Sequence, residues 1–346
     1  MTPNPQAPVR VGFLGAGLIA TYHSKSLRGS GARVVRAGVY DPDRERAEAF
    51  AAASGHHAVD SEDEVIEHCD AVYICTWTSE HPRQLAKAVA AGRHVFCEKP
   101  LAFSTNEAEV MAAAADGANV VHQVGLVLRR SPAYLWARDL IADPAAGRVM
   151  TVVFRDDQFI PIQGHYDSTW RADRDKVGAG TLIEHSIHDV DMLRFLVGEI
   201  ESVSAHTANF HGHDGIEDVA TAVLRFRGGA TGTLSSVWHD NLARPSLRRV
   251  EVFCERRHVV IDGDDWFGPV SWTDHDGTTG ALEGAALEAA VTPLRDGATA
   301  NPDGEFIACV LDRRPAWPDL HTAVAAHRIV DAMYASAAAA GQVVTP

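Results

Sequence analysis

The stretch Val11-Gly12-Phe13-Leu14-Gly15-Ala16-Gly17-Leu18-Ile19-Ala20 decides the fold. Its first four residues make a short apolar strand, and the Gly-x-Gly-x-x-Ala that follows opens a helical stretch running to Leu27 and stopped at Gly29. Gly15 permits a tight turn, Gly17 permits close approach of a pyrophosphate, and Ala20 is small enough for helix to pack closely on strand. The amino end of the helix favours the phosphate charge. Glycine turns are common, so context carries the reading. A second strand, Val34 to Tyr40, ends in Asp41 roughly twenty residues past the turn, where an acid accepts hydrogen bonds from an adenosine ribose and repels a 2′-phosphate. NAD is therefore expected, with Arg44 and Arg46 close enough to keep NADP use open. Asp41 before Pro42 also reads as a helix cap.

Strand and helix go on alternating. Ser61 to Glu64 opens a helix with a capping box, Ala71 to Cys75 is a continuous apolar strand, and Pro82 to Ala91 is helical. Val95-Phe96-Cys97-Glu98-Lys99-Pro100 is a strand that stops abruptly, because proline cannot continue the ladder; Lys99 then sits at a strand's carboxyl end, where open α/β sheets bind ligands. Ser104 caps a helix ending near Gly117, and Asn119 to Val127 reads as a sixth strand. Such repeated βα units predict a parallel, doubly wound sheet.

The chain has 346 residues, which suits two domains; we expect a dinucleotide-binding domain over 1–127 and a substrate-binding and oligomerisation domain over 128–346. With 31 basic and 46 acidic residues the formal charge is −15, which argues against a nucleic-acid or anionic-membrane partner. Met1 to Arg10 is polar and proline-rich, no apolar run reaches spanning length, and the five cysteines form no Cys-x-x-Cys pair. Buried reduced thiols in a cytoplasmic protein are expected.

The glycine turn, Cys75-Thr76 followed by His81, and Ala91-Gly92-Arg93-His94-Val95-Phe96-Cys97-Glu98-Lys99-Pro100-Leu101 resemble the glucose-fructose oxidoreductase / inositol dehydrogenase / MocA family. The resemblance covers nearly the whole chain, and its Glu-Lys-Pro signature is the specific part. It implies an N-terminal Rossmann domain, a C-terminal α+β domain on an open, largely antiparallel sheet, and NAD(P)-dependent sugar or polyol dehydrogenase activity. It places Lys99 beside nicotinamide and substrate, and the expected cofactor lining is Gly15, Gly17, Leu18, Ile19, Asp41, Thr76, Trp77, His81, Glu98 and Lys99. Trp77 departs from the family, where proline is usual; stacking near the nicotinamide and filling the wall are equally open.

Gly125 to Pro132 resembles the family's junction between domains, with Arg130 where an aromatic is usual. Arg129 is expected in a buried interdomain ion pair or at the substrate. Ser131 and Pro132 start a helix through Ile141. Over Thr181 to Val197, Ile183, Ile187, Val190 and Val197 recur at helical spacing, while Glu184, His188 and Asp191 fall at i, i+4 and i+7 along a neighbouring stripe. This segment resembles the family's Asp-x-x-x-His-x-x-Asp motif, with Glu184 in the first acid's place, His188 in the histidine's, and a structural role for Asp191. The glutamate adds a methylene to the first acid's reach. Gln158, Tyr166, Trp170, Arg171 and His185 are further substrate candidates, each with a structural alternative. Glu184, His185 and His188 could form part of a zinc site, but the His-Glu-x-x-His order is absent and no clear further ligand set is visible, so no metal is expected. His56-His57 and the loop Phe210 to Asp214 read as solvated. After Gly198, alternating segments without helices predict an antiparallel sheet with one covered face, the other expected on a partner subunit in a homodimer or homotetramer. Asp274 to Gly284 reads as a glycine-rich loop.

The expected chemistry is hydride transfer between a secondary alcohol and nicotinamide. His188 serves as general base, Lys99 polarises the oxygen and Glu184 orients one of them, with Lys99 as the alternative base. Two rivals remain open: a glycoside hydrolase or lyase working through transient oxidation by NAD, and a non-catalytic dinucleotide-bound regulator.

Overall fold

A computed structural model describes residues 7–164, 166–263 and 266–346; the amino-terminal reading of Met1 to Gln6 lies outside them. The chain divides into two compact units, Met1–Val127 with Ala298–Val324, and Leu128–Gly297 with Ala325–Pro346.

In the first unit the strands β1 (Val9–Leu14), β2 (Val34–Tyr40), β3 (His57–Ala58), β4 (Ala71–Ile74), β5 (His94–Cys97) and β6 (His122–Val124) pair in the order β3-β2-β1-β4-β5-β6, all parallel. The order reverses between β1 and β4, the switch point at which such sheets bind ligands. The connections are α1 (Leu18–Gly29), α2 (Arg44–Ser54), α3 (Glu62–His68), α4 (His81–Ala90) and α5 (Thr105–Gly117). β6 is shorter than expected, because Gly125 leaves the ladder after donating its N–H to Cys97. Residues 298–324, which we expected in the second domain, belong to this unit: α11 (Pro302–Asp312) buries Phe306, Ile307 and Cys309 against Phe13, Tyr73 and Phe96. A contiguous boundary cannot reveal a segment that returns. His56 is buried rather than solvated; its Nδ1 meets the Ala37 carbonyl oxygen, and burial pulls it down to about 4.

The second unit holds β7 (Val149–Phe159), β8 (Ile200–Ala208), β9 (Val219–Phe226), β10 (Thr231–His239), β11 (Leu247–Cys254), β12 (Arg257–Asp262), β13 (Val270–Asp274) and β14 (Thr279–Leu282) in the order β14-β13-β12-β11-β7-β10-β9-β8. β7 and β10 run parallel; the other pairs are antiparallel. Burial alternates along β9 and β10, so one face packs on α6 (Pro132–Ala142), α9 (Ile187–Val197) and α12 (Leu320–Ala338), while Val153 and Val223 on other positions are exposed. Short helices α7 (Arg174–Val177), α8 (Thr181–Glu184) and α10 (Gly284–Val291) complete it. The stretch expected as a loop, 274–284, is instead mostly the β13–β14 hairpin, with Trp272 lying against Gly280, where no side chain would fit.

Candidate functional site

Gly15 turns the chain after β1 with φ +88°, and a side chain there would strike the Cys75 carbonyl oxygen at 2.5 Å. Only glycine satisfies both demands. Gly17, the cap of α1, has open space where a Cβ would stand, so a ligand can approach its backbone. Leu18 and Ile19 beside it are exposed, 78% and 38%, as residues waiting for a cover would be. Asp41 is buried. Its Oδ2 accepts the Ala16 N–H at 2.9 Å, its Oδ1 the Asp43 N–H at 2.9 Å, and Arg46 lies 3.2 Å away. The cap of α2 is Asp43, not Asp41, because its side chain takes the Arg46 N–H. Asp41 thus braces the glycine turn and keeps acceptor capacity on Oδ2.

β5 ends where Glu98 donates its N–H to Ile74 and turns its carboxylate back, Oε2 taking the Lys99 N–H at 3.1 Å. Gly125 leaves the space that this carboxylate fills. The other oxygen, Oε1, meets His23 Nε2 at 2.8 Å, and His23 Nδ1 meets Asp303 Oδ1 at 2.7 Å, with the imidazole fully buried. Burial pushes that imidazole toward neutrality, but Asp303 and Glu98 overcome it and hold the ring at about 10. His23 is therefore an imidazolium, tying α1, the Lys99 turn and α11 together. Neither His23 nor Asp303 was found in the sequence. His23 had a signal, since it stands with Ala20 and Leu27 on the buried stripe of α1. Asp303 had none.

Among the other expected cofactor residues, Thr76 turns its hydroxyl to Gln84 at 2.6 Å. His81 is buried, with Nδ1 2.9 Å from the Pro100 carbonyl oxygen and Nε2 3.2 Å from that of Thr76, so it joins the ends of β4 and β5; burial lowers its proton affinity. Glu98 and His81 thus shape the strand ends, while Lys99 and Trp77 are half-buried there.

In the second unit the expected continuous helix breaks. α8 and α9 are separated at His185 and Ser186, because the Thr181 carbonyl oxygen accepts both their N–H groups while Ser236 of β10 bonds the hydroxyls of Thr181 and Ser186. Gly180 lies where any side chain would collide with the Glu217 backbone, and the Glu217 carboxylate accepts the N–H groups of Gly180 and Leu182 at 2.8 and 2.9 Å. Glu217, missed in the sequence, therefore caps α8.

The break leaves Glu184, His185 and His188 with different surroundings. Glu184 is buried and accepts from Arg171 Nε at 2.8 Å; the Arg171 guanidinium lies 4.5 Å over the Trp170 ring. The acid is thereby committed to a cation, which suits an orienting group. Trp170 also packs against the small core of Ile160, Ile162, Val177, Ile216 and Trp238. His188 is half-buried, its ring 6.5 Å from that of His185. Asp191 is buried and holds Arg129 by two bonds of 2.8 and 2.7 Å, so Arg129 forms an ion pair inside this unit. Gln158 is half-buried on β7 and Tyr166 is exposed. The loop Phe210 to Asp214 is exposed as expected apart from half-buried His213, and His211 Nδ1 lies 2.6 Å from Asp218.

Asp156, His185 and Asp189 bring their ligand atoms within 4.8 Å of one another, a spacing a metal ion could use. Arg248 occupies the cationic position instead: its Nη2 is 2.7 Å from Asp156 and its Nε 3.2 Å from Asp189. A guanidinium inside the cluster repels a second cation, so the donor set does not fit a metal.

Residues 9–126 match the family described as "Oxidoreductase family, NAD-binding Rossmann fold", and residues 134–260 match the GFO/IDH/MocA C-terminal domain. The chain is 36% identical to the scyllo-inositol 2-dehydrogenase (NAD(+)) of Bacillus subtilis over 66% of its own length and 67% of that protein's. It is 34% identical to the 1,5-anhydro-D-fructose reductase of Ensifer adhaerens over 64% of its length and 66% of that protein's, so each match spans about two thirds of the relative. In fold it is similar to an oxidoreductase domain protein from Kribbella flavida, with TM-score 0.87, 24% identity and 98% and 99% of the two chains covered. It is also similar to a levoglucosan dehydrogenase in complex with NADH, with TM-score 0.86, 22% identity and the same coverage.

Proposed function

The chain belongs to the Gfo/Idh/MocA family of oxidoreductases with an NAD-binding Rossmann fold, and from that premise we propose that it transfers a hydride between a secondary hydroxyl of a sugar or polyol and C4 of nicotinamide. The observation that carries the proposal is the conjunction, at one switch point, of an open Gly17 turn braced by Asp41 with a strand end whose Lys99 backbone is fixed by Glu98 and His23. NAD is the preferred cofactor. Asp41 is a buried carboxylate with oxygen capacity left for a ribose, and a 2′-phosphate would meet that charge, with Arg46 as its nearest counter-charge. NAD supplies the hydride acceptor; the remaining work falls to side chains.

Removing hydride from carbon leaves a hydroxyl proton. His188 takes it, Lys99 holds the oxygen as charge develops, and Glu184, clamped by Arg171, orients the histidine segment. Gln158, Tyr166, Trp170, Arg171 and Arg129 are weaker substrate candidates, and the Arg129 pair with Asp191 favours a structural role for it. The sheet face carrying exposed Val153 and Val223 supports assembly as a homodimer or homotetramer. Five buried free cysteines support a reducing, cytoplasmic setting, and among the described residues no helix is long and apolar enough to cross a membrane. The test is a screen of polyols, aldoses, anhydrosugars and glycosides with NAD and with NADP, reading reduced cofactor. Net reduction with a free polyol or sugar is the expected result. Glycoside cleavage without net reduced cofactor would replace the proposal with the transient-oxidation mechanism.

A further inference from the structure

We propose that His185 is a specificity-determining residue, its Nδ1 accepting a hydrogen bond from a substrate hydroxyl that is not the one oxidised, and that Asp156, Asp189 and Arg248 form the anchor that aims it. The proposal rests on the dehydrogenase reading and adds a second contact to it.

The geometry begins at Asp156 Oδ2, on which His185 Nε2 and Arg248 Nη2 both converge at 2.7 Å. A carboxylate oxygen is an acceptor, so the ring contact needs its proton on Nε2. Arg248 Nη2 also lies 3.1 Å from His185 Nε2, a contact in which Nε2 would have to accept, but both groups lie closer to Asp156 Oδ2 and we assign both protons to that oxygen. In the neutral ring, Nδ1 is then a bare acceptor. It makes no hydrogen bond among the described residues and is not sealed from solvent, since it is not among the buried unpaired atoms.

The anchor itself is closed on all sides. Asp156 Oδ1 and Asp189 Oδ2 are both buried and take no hydrogen bond from a described residue, while Arg248 bridges the two carboxyls through their other oxygens. Burial, followed by the Asp156 charge, drives Asp189 well above the usual carboxylate range; burial also opposes ionisation of Asp156, but Arg248 and His185 outweigh it.

The test uses the purified full-length protein with NAD and whichever of myo-inositol, scyllo-inositol or levoglucosan it oxidises fastest. Losing one hydrogen bond corresponds to about tenfold, so His185→Phe should raise KM for that substrate about tenfold, with a smaller change in kcat and none in KM for NAD. Asp156→Asn should do the same by freeing the ring. An unchanged KM in His185→Phe, or an Asp156→Asn that leaves KM unchanged, would overturn the inference. Histidine ¹⁵N NMR tests it without turnover: Nε2-protonated His185 in the wild type, lost in Asp156→Asn, is expected. The Nδ1-protonated tautomer would refute it. Absence of turnover with every polyol would count against the dehydrogenase reading alone.

Discussion

Two histidines of this protein, His23 and His185, each stand against a pair of carboxyl groups, yet they are wired for different work. His23 has both ring nitrogens on carboxylates, Glu98 and Asp303, and no exposed surface. Every site on it is spent, and a charge held in that way is a strut. His185 has one nitrogen on Asp156 while the second acid, Asp189, bonds to Arg248, and Nδ1 takes no hydrogen bond among the described residues. The same residue types give a fixed post in one unit and a presented acceptor in the other; what differs is whether the second acid reaches the ring.

That contrast separates groups that face a ligand from groups that hold, and the largest expected effect tests the ligand-facing side. Lys99→Ala and His188→Ala should each lose about 10²- to 10⁴-fold in turnover, the usual weight of a general acid or base, with NAD affinity and thermal melting little changed. Titration of NAD fluorescence quenching beside steady-state rates reads both. A drop in melting temperature matching the drop in rate would erase the distinction.

On the holding side, His23→Leu strands two buried acids and should cost about 3–5 kcal/mol in urea unfolding, the range for breaking a buried ion pair. The imidazolium is held at about 10 against an ordinary 6.5. A raised folded value means its stabilisation is complete below pH 6.5 and fades as pH rises toward about 10. The gap between wild type and variant should therefore narrow over that window; a constant gap would mean that packing, not charge, is what His23 supplies.

Smaller effects sharpen the comparison. Asp41→Ser removes a charged acceptor, and kcat/KM with NAD should fall about 10- to 100-fold while discrimination against NADP relaxes. Parallel assays with both cofactors read this. Glu184→Gln keeps one acceptor for Arg171, so turnover should fall less than about tenfold. A loss as large as that of His188→Ala would make Glu184 a reacting group.

Much of the fold was legible because local patterns set it. The glycine turn, the capped helices and the apolar parallel strands each follow from neighbours in sequence, and the Glu98-Lys99-Pro100 strand end sits where proline stops the ladder. What stayed hidden depends on partners far along the chain. Asp303 meets His23 across 280 positions, and α11 returns to the first sheet, neither of which periodicity can announce. The break at His185 was invisible because the stripe of Ile183, Ile187 and Val190 fits an unbroken helix; Ser236, on a distant strand, supplies the competing bonds. Of the candidate site, Glu184, His188 and Asp191 fell on one stripe by spacing, with His185 beside it. The groups that orient them, Arg171 excepted, were not legible.

The most direct trial of the account is a crystal structure of the full chain with NADH and a polyol bound. The account predicts Lys99 Nζ and the His188 imidazole both within hydrogen-bond reach of one hydroxyl, the carbon bearing it facing nicotinamide C4. A nucleotide bound away from the Gly15–Gly17 turn, or a reacting hydroxyl that meets only one of the two side chains, would contradict it.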